Sequence, residues 1–169
     1  MLESMKASAF FYLLVCFLLW LADAGSIRAN QKPCSMAIEE QALGEVYNLK
    51  GWKDLYRSFI RFPHCDAGAI ADGYSDTVGR LLAREWAQIS ILGKFVALDD
   101  KFESFVLRHI DESLPADILI TIANNAGESC PATETVLCGK IVQRSKQASH
   151  ARAEKLLKEI GRSEGTRVD

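Results

Sequence analysis

The chain has 169 residues, a formal net charge of −2, 25% charged residues and 49% hydrophobic residues, the balance of one globular domain. Three histidines are too few for a histidine-rich metal centre. The most basic stretch, from Lys140 onward, carries eight Lys/Arg against four Asp/Glu and no Phe, Tyr or Trp on which a base could stack, so nucleic acid is not an expected partner.

Phe10 to Leu21 (FFYLLVCFLLWL) is an unbroken apolar run, preceded by Lys6 and followed by Ala22-Asp23-Ala24. An apolar core followed by small residues in an A-x-A-like pattern reads as a secretory signal peptide cut after Ala24. The run is shorter than the ~20 apolar residues that span a bilayer. Membrane contact is therefore expected only through this segment before cleavage, although Glu3 weakens the basic start and leaves an uncleaved anchor as the alternative. Cys16 leaves with the signal. Cys34, Cys65, Cys130 and Cys138 remain, and four cysteines in an exported chain are most simply two disulfides with three possible connectivities. Pairing Cys34 with Cys65 and Cys130 with Cys138 is the first choice, and a Cys65–Cys130 bridge is its rival. A four-cysteine zinc site lacks the C-x-x-C spacing. The localisation read from this is periplasmic or secreted.

Gly25 to Pro33 reads as a short polar linker. Met36 to Tyr47 is an imperfect first helix with Met36, Ile38, Leu43, Val46 and Tyr47 as its apolar set. Trp52, Leu55, Tyr56, Phe59 and Ile60 recur at i, i+3, i+4, i+7 and i+8, one buried helical face, and Pro63 stops that helix. The next stretch, Pro63 to Trp86, organises the chain. On a 100° step, Ile70, Tyr74, Val78, Leu81 and Leu82 share one half of the circle with Ala67, Gly68, Ala71, Gly79 and Trp86. Asp72, Gly73, Asp76, Arg80 and Arg84 fill the other half. Gly68, Ser75 and Gly79 cluster at one edge of the apolar arc, where another backbone could approach. Asp66 is placed to cap the helix.

Ile91, Leu92, Phe95 and Val96 make a shorter helix. Asp99 or Asp100 caps the next, with Asp100 and Glu103 spaced as in a capping box and Phe102, Phe105, Val106, His109 and Ile110 as the apolar face. Pro115 opens a helix through Ile118, Leu119 and Ile122 that Asn124, Asn125 and Gly127 end. Val136, Leu137, Ile141 and Val142 begin the last. Its pattern falters from Gln143 to His150 and resumes at Leu156, Leu157 and Ile160, as in an extension that packs poorly or not at all. No segment alternates with period two. The expected fold is all-α, a disulfide-stapled bundle of five to seven helices. Its organisation is signal peptide 1–24, flexible linker 25–35, helical domain 36–145 and basic helical extension 146–169.

Motifs for chemistry are mostly absent: no Walker loop, no dinucleotide fingerprint, no G-x-S-x-G elbow, no H-E-x-x-H. His109 and Glu85 are the two ionisable side chains on apolar arcs, and an unpaired buried charge is costly. They read either as a structural pair, or with Glu85 simply reaching solvent at the helix end, or as a general acid/base couple with a nucleophile such as Ser75 nearby. Asp66, Asp72 and Asp76, with Tyr74, form an acidic patch. It lacks the D-x-D-x-D-G pattern of a calcium loop and reads as a solvated face or a partner-binding surface. No metal and no cofactor are expected.

The block from Tyr47 to Trp86, with HCDAGAIADGYSD at its centre, and the segments FVLRHIDE and CPATETVLC resemble a group of small exported, helical, cysteine-containing bacterial proteins of uncharacterised function. In general form the chain also resembles the periplasmic immunity proteins that neutralise cell-wall amidases delivered by type VI secretion systems. That resemblance implies a protein partner, a toxin or an envelope enzyme, and carries over no functional residue. The functional expectation is an exported, non-enzymatic binding or inhibitor protein. The alternatives are a small exported hydrolase using Glu85 and His109, and a structural envelope protein whose basic tail meets anionic surfaces.

Overall fold

The computed structural model describes residues 34–165, with side chains to residue 162; the expected signal peptide and most of the linker lie outside the described residues. Within them the chain is all-α, with seven α-helices and no strand. We number them α1 (Met36–Val46), α2 (Trp52–Arg61), α3 (Gly68–Arg84), α4 (Ile89–Val96), α5 (Asp100–Arg108), α6 (Ala116–Glu128) and α7 (Thr135–Gly165). Single 3-10 turns at Trp86–Gln88 and Ala132–Glu134 lead into α4 and α7.

The central helix is α3, which packs against α1, α2 and α6. It is buried around more than the apolar half of its circumference: Gly73 and Thr77 are inside as well. Gly73 was expected on the polar side; a Cβ there would lie 2.8 Å from Val46 Cγ1, so its bare backbone is what lets α1 approach. At Gly79 a Cβ would lie 2.7 Å from Leu114 Cδ2 and 3.4 Å from Ile118 Cγ2, so it is side chains and not another backbone that fill this edge of the apolar arc, and Gly68 has nothing within 4 Å. Gly73 and Gly79 trade ~1 kcal/mol of helix propensity for interhelical contact.

α3 begins at Gly68, later than the run from Pro63 suggests. Ala67 is its N-cap, no side chain caps it, and Gly68 has φ +54°, a left-handed value that glycine adopts without strain. The residues before it are held elsewhere: Cys65 is bonded to Cys34, closing the first of two disulfides, and Asp66 is turned towards α5. The second disulfide joins Cys130 and Cys138 across the turn into α7. The pairing is thus the first choice, and Cys65–Cys130 is not formed. Cys34 itself, at the end of the expected linker, is tied down by its bridge.

Between α2, α3, α4 and α5 lies an aromatic cluster. Tyr56 stacks on Phe95 at 4.6 Å and meets Phe102 edge-on at 4.9 Å, while Phe105 meets Tyr74 at 5.0 Å and His109 at 4.4 Å, each such pair contributing about 0.5–1.5 kcal/mol beyond area burial. Apolar residues at helix edges fall outside: Met36, Ile38, Tyr47, Ile60, Ile91 and Val136 are exposed. In α1 the buried pair is Ala42 and Val46.

Caps also differ in detail. Asp99, not Asp100, caps α5, accepting from the Lys101 and Phe102 amides. Glu103 makes no capping box there; it accepts from Lys140 Nζ of α7 at 2.7 Å. Asn125 does not end α6, which runs to Glu128; its amide donates to the carbonyls of Leu82 and Ala83 at the end of α3, both at 3.0 Å.

The boundary expected between domain and extension at 145/146 falls inside α7. Ala148 is buried, Arg144 Nε donates to Leu107 O at 3.1 Å and Arg152 Nη1 to Glu112 O at 3.0 Å. The basic residues of this stretch therefore dock the helix onto α5 and the following loop, so it packs well as far as Arg152. Beyond it every described residue is exposed, Leu156, Leu157 and Ile160 included.

Candidate functional site

The ionisable residues singled out in the sequence do not meet as expected. Glu85 follows the last residue of α3, half-buried, and is ion-paired to Arg80 with a hydrogen bond from Gln88 Nε2 at 2.8 Å. It makes no pair with His109, so the Glu85/His109 couple is not formed. Arg80 also donates to the carbonyl of Leu49 at 2.8 Å, fixing the α1–α2 turn against α3.

His109 follows the last turn of α5 and is 3% exposed. Its Nδ1 lies 3.0 Å from Ser75 Oγ in α3. On the other side of the ring, Nε2 lies 3.2 Å from Asp66 Oδ1 and 3.3 Å from Oδ2; the Oδ2 direction has hydrogen-bond geometry, and Oδ1 has no hydrogen-bond partner. Arg108 is ion-paired to Asp66 from the solvent side. Ser75 Oγ in turn donates to Asp111 Oδ2 at 2.9 Å. The result is one chain, Asp111–Ser75–His109–Asp66–Arg108, that sews α5 to α3 and to the loop before it.

Burial pushes the Asp66 carboxyl upward, but hydrogen bonds and charge from His109 and then Arg108 outweigh it, and the net position is below the usual carboxylate value. The adjacent Tyr74 is buried and its hydroxyl lies 3.0 Å from Ser58 Oγ. Burial raises the phenol, the Ser58 bond opposing, with the charges of Asp66 and Glu45 adding to the rise.

Ser, His and Asp in a line suggest nucleophilic catalysis. Two features oppose it. Ser75 has one hydroxyl proton, directed to the Asp111 carboxylate rather than to the imidazole, and Ser75 is only 3% exposed, so an incoming carbonyl has no route to Oγ. The arrangement pairs Ser75 Oγ, both ring nitrogens of His109 and Asp66 Oδ2, and leaves Asp66 Oδ1 as its one buried oxygen without a hydrogen bond.

The acidic patch shrinks accordingly. Tyr74 is 1% exposed and cannot touch a partner, and Asp66 faces His109 and Arg108. Asp72 and Asp76 remain exposed, one turn apart on α3. Among the described residues no group of His, Cys, Asp and Glu could hold a metal ion, and no helix is long and apolar enough to cross a membrane. Asp66 was not legible as a partner of His109, nor Asp111 as a partner of Ser75: contacts across 43 and 36 positions of sequence leave no periodic signal. Comparison of the chain with protein-family models, with curated proteins and with solved structures finds no match.

Proposed function

We propose that this is an exported, non-enzymatic binding or inhibitor protein, immunity-like, that acts by covering part of another protein with its helical surface. The observation that carries the reading is the Asp111–Ser75–His109–Asp66–Arg108 network, which engages the groups best suited to hydrolysis and keeps Ser75 and His109 buried. Export is supported by the apolar run from Phe10 to Leu21 with its small-residue site. It is also supported by the two disulfides, which persist in oxidising compartments such as the periplasm. The general resemblance to periplasmic immunity proteins points to a toxin or envelope enzyme as the partner, and Asp72 and Asp76 are the exposed part of the acidic face offered to it.

Isolation of the tagged protein from its native periplasm should yield a stoichiometric complex that Asp72→Lys/Asp76→Lys weakens while the helical signal is unchanged. A hydrolytic reading has the Ser75–His109 approach in its favour. It would replace the binding reading if the purified protein turned over an ester or cell-wall amide and lost that turnover in Ser75→Ala with the fold intact.

A further inference from the structure

Between the end of α1 and the outer face of α2 lies a cleft of about 440 Å³ with Leu49 at its floor and charged side chains around it, within the size range of small-ligand sites. Its carboxylates and its arginines sit at different depths. The side chains of Glu45 and Asp54 are 28% and 31% exposed, whereas those of Arg61 and Arg57 are 61% and 67% exposed. The acids therefore lie beneath and the guanidiniums form the rim.

Each guanidinium is held from below. Arg61 Nη1 donates to Glu45 Oε2 at 3.0 Å and its guanidinium carbon sits 5.1 Å from the centroid of the Phe62 ring. Arg57 is ion-paired through Nη2 to Asp54 Oδ1, and Asp54 Oδ2 accepts the Lys50 amide at 3.2 Å. The turn carrying Leu49 and Lys50 is itself fixed by Arg80. A guanidinium has five N–H donors in a rigid fork, and one nitrogen of each is engaged by its carboxylate. Arg57 and Arg61 are four residues apart on α2, so they share a face with their Cβ atoms about 5–6 Å apart. With Lys50 the cleft has three cations to two anions.

We propose that this cleft is an anion-binding site in which Arg57 and Arg61, positioned by Asp54 and Glu45, grip a carboxylate or phosphate group between them. The anion is a free small molecule or an acidic side chain of a protein partner; only the second source rests on the binding function proposed above. Fork-shaped donors suit planar or tetrahedral oxyanions, and such charge-assisted bonds are about twice as strong as neutral ones.

The test is an NMR titration of the purified protein with sodium phosphate and with succinate, at ionic strength held constant with chloride. Saturable shifts are expected at the Arg57 and Arg61 side-chain N–H groups and at amides of residues 49–61. Arg57→Gln/Arg61→Gln should weaken them about ten-fold or more, and Arg57→Lys/Arg61→Lys, which keep the charge and lose the fork, should weaken them less. Both arginines are exposed, so an unchanged melting curve checks that the variants fold. Shifts that are linear and equal to those of chloride, or that persist in the glutamine variant, overturn the proposal. The source follows from a second arm. A complex isolated from the periplasm that phosphate dissociates and the glutamine variant fails to form identifies a partner's acidic side chain. Saturable small-anion binding with a complex unaffected by the variant identifies a free anion. Anion binding with no complex under any condition supports the site and sinks the binding-protein reading; a complex without anion binding does the reverse.

Discussion

Asp66 holds its place between a histidine and an arginine although it is largely withdrawn from water, and its lowered pKa makes the network a source of acid sensitivity. The sign follows from linkage. A carboxyl whose folded pKa is below its unfolded value of about 3.9 contributes stability that is present above that pH and is lost as pH falls through the folded value. Urea midpoints of wild type and Asp66→Asn should therefore differ at pH 6 and converge below about pH 4. Curves that stay parallel to pH 2 would remove Asp66 from the acid response. Ser75 is the hinge of the same chain, with one neighbour accepting its proton and another facing its lone pairs. Ser75→Ala leaves the buried His109 Nδ1 unpaired at a cost of about 1–3 kcal/mol, measurable in urea unfolding. A smaller change than 0.5 kcal/mol, roughly the level of an ordinary surface substitution, would mean the bond adds little to stability.

At the scale of helices, glycines of the same chemical type do opposite things. Gly73 faces Val46, a buried β-branched residue that cannot swing aside, and a Cβ would lie 2.8 Å from its methyl. Gly73→Ala should therefore destabilise by about 1–3 kcal/mol through overpacking, less the helix-propensity gain of up to about 1 kcal/mol. Gly139 in α7 is exposed and has nothing within 4 Å of its virtual Cβ. Gly139→Ala should stabilise by about 0.5–1 kcal/mol. Thermal melts of the two variants check both; a shift of the same sign in each would refute the assignment of Gly73 to a close α1–α3 contact.

For the whole molecule the two disulfides close loops of very different size, 31 residues of separation for Cys34–Cys65 and 8 for Cys130–Cys138. In the chain-entropy description they contribute roughly 3–4 and roughly 2–3 kcal/mol, large shares of the ~5–15 kcal/mol usual for a domain. Reduction should lower the melting temperature markedly while the far-UV helical signal at room temperature survives, because the α2, α3 and aromatic-cluster contacts do not depend on the bridges. Removing the first pair as Cys34→Ala/Cys65→Ala should lower the melting point more than removing the second. The reverse order would show that the short bridge acts through the folded state of the α7 corner. An unchanged melting curve on reduction would deny both bridges a stabilising role.

Several features were decided locally and could be read from the chain. The all-α class, the α2 face through Trp52 and Leu55, the stop at Pro63, the central place of α3 and the Cys130–Cys138 bridge all rest on periodicity, a missing amide or short covalent reach, whereas Cys34–Cys65, 31 residues apart, needed the fold to choose it over its rival. The small residues on one helix edge were a local pattern, but that side chains of Leu114 and Ile118 fill the space at Gly79, and not a second backbone, was decided by packing. What tertiary structure alone decided is who meets whom. Asp66 could cap α3 or pair with His109, and the local sequence favours capping. Burial of His109 at the α3–α5 seam makes an ionic partner worth more there than at an exposed helix end. Glu85 and His109 both fall on the apolar arcs of the sequence pattern, yet Glu85 sits half-buried at the end of α3, where Arg80, five residues away, lies within its reach and His109 does not. The tail of α7 packs through Arg144 and Arg152, whose partners are backbone carbonyls from α5 and its following loop. Hydrophobic period cannot register such bonds, because it records which face of a helix is apolar and nothing about the polar atoms another element will present to it.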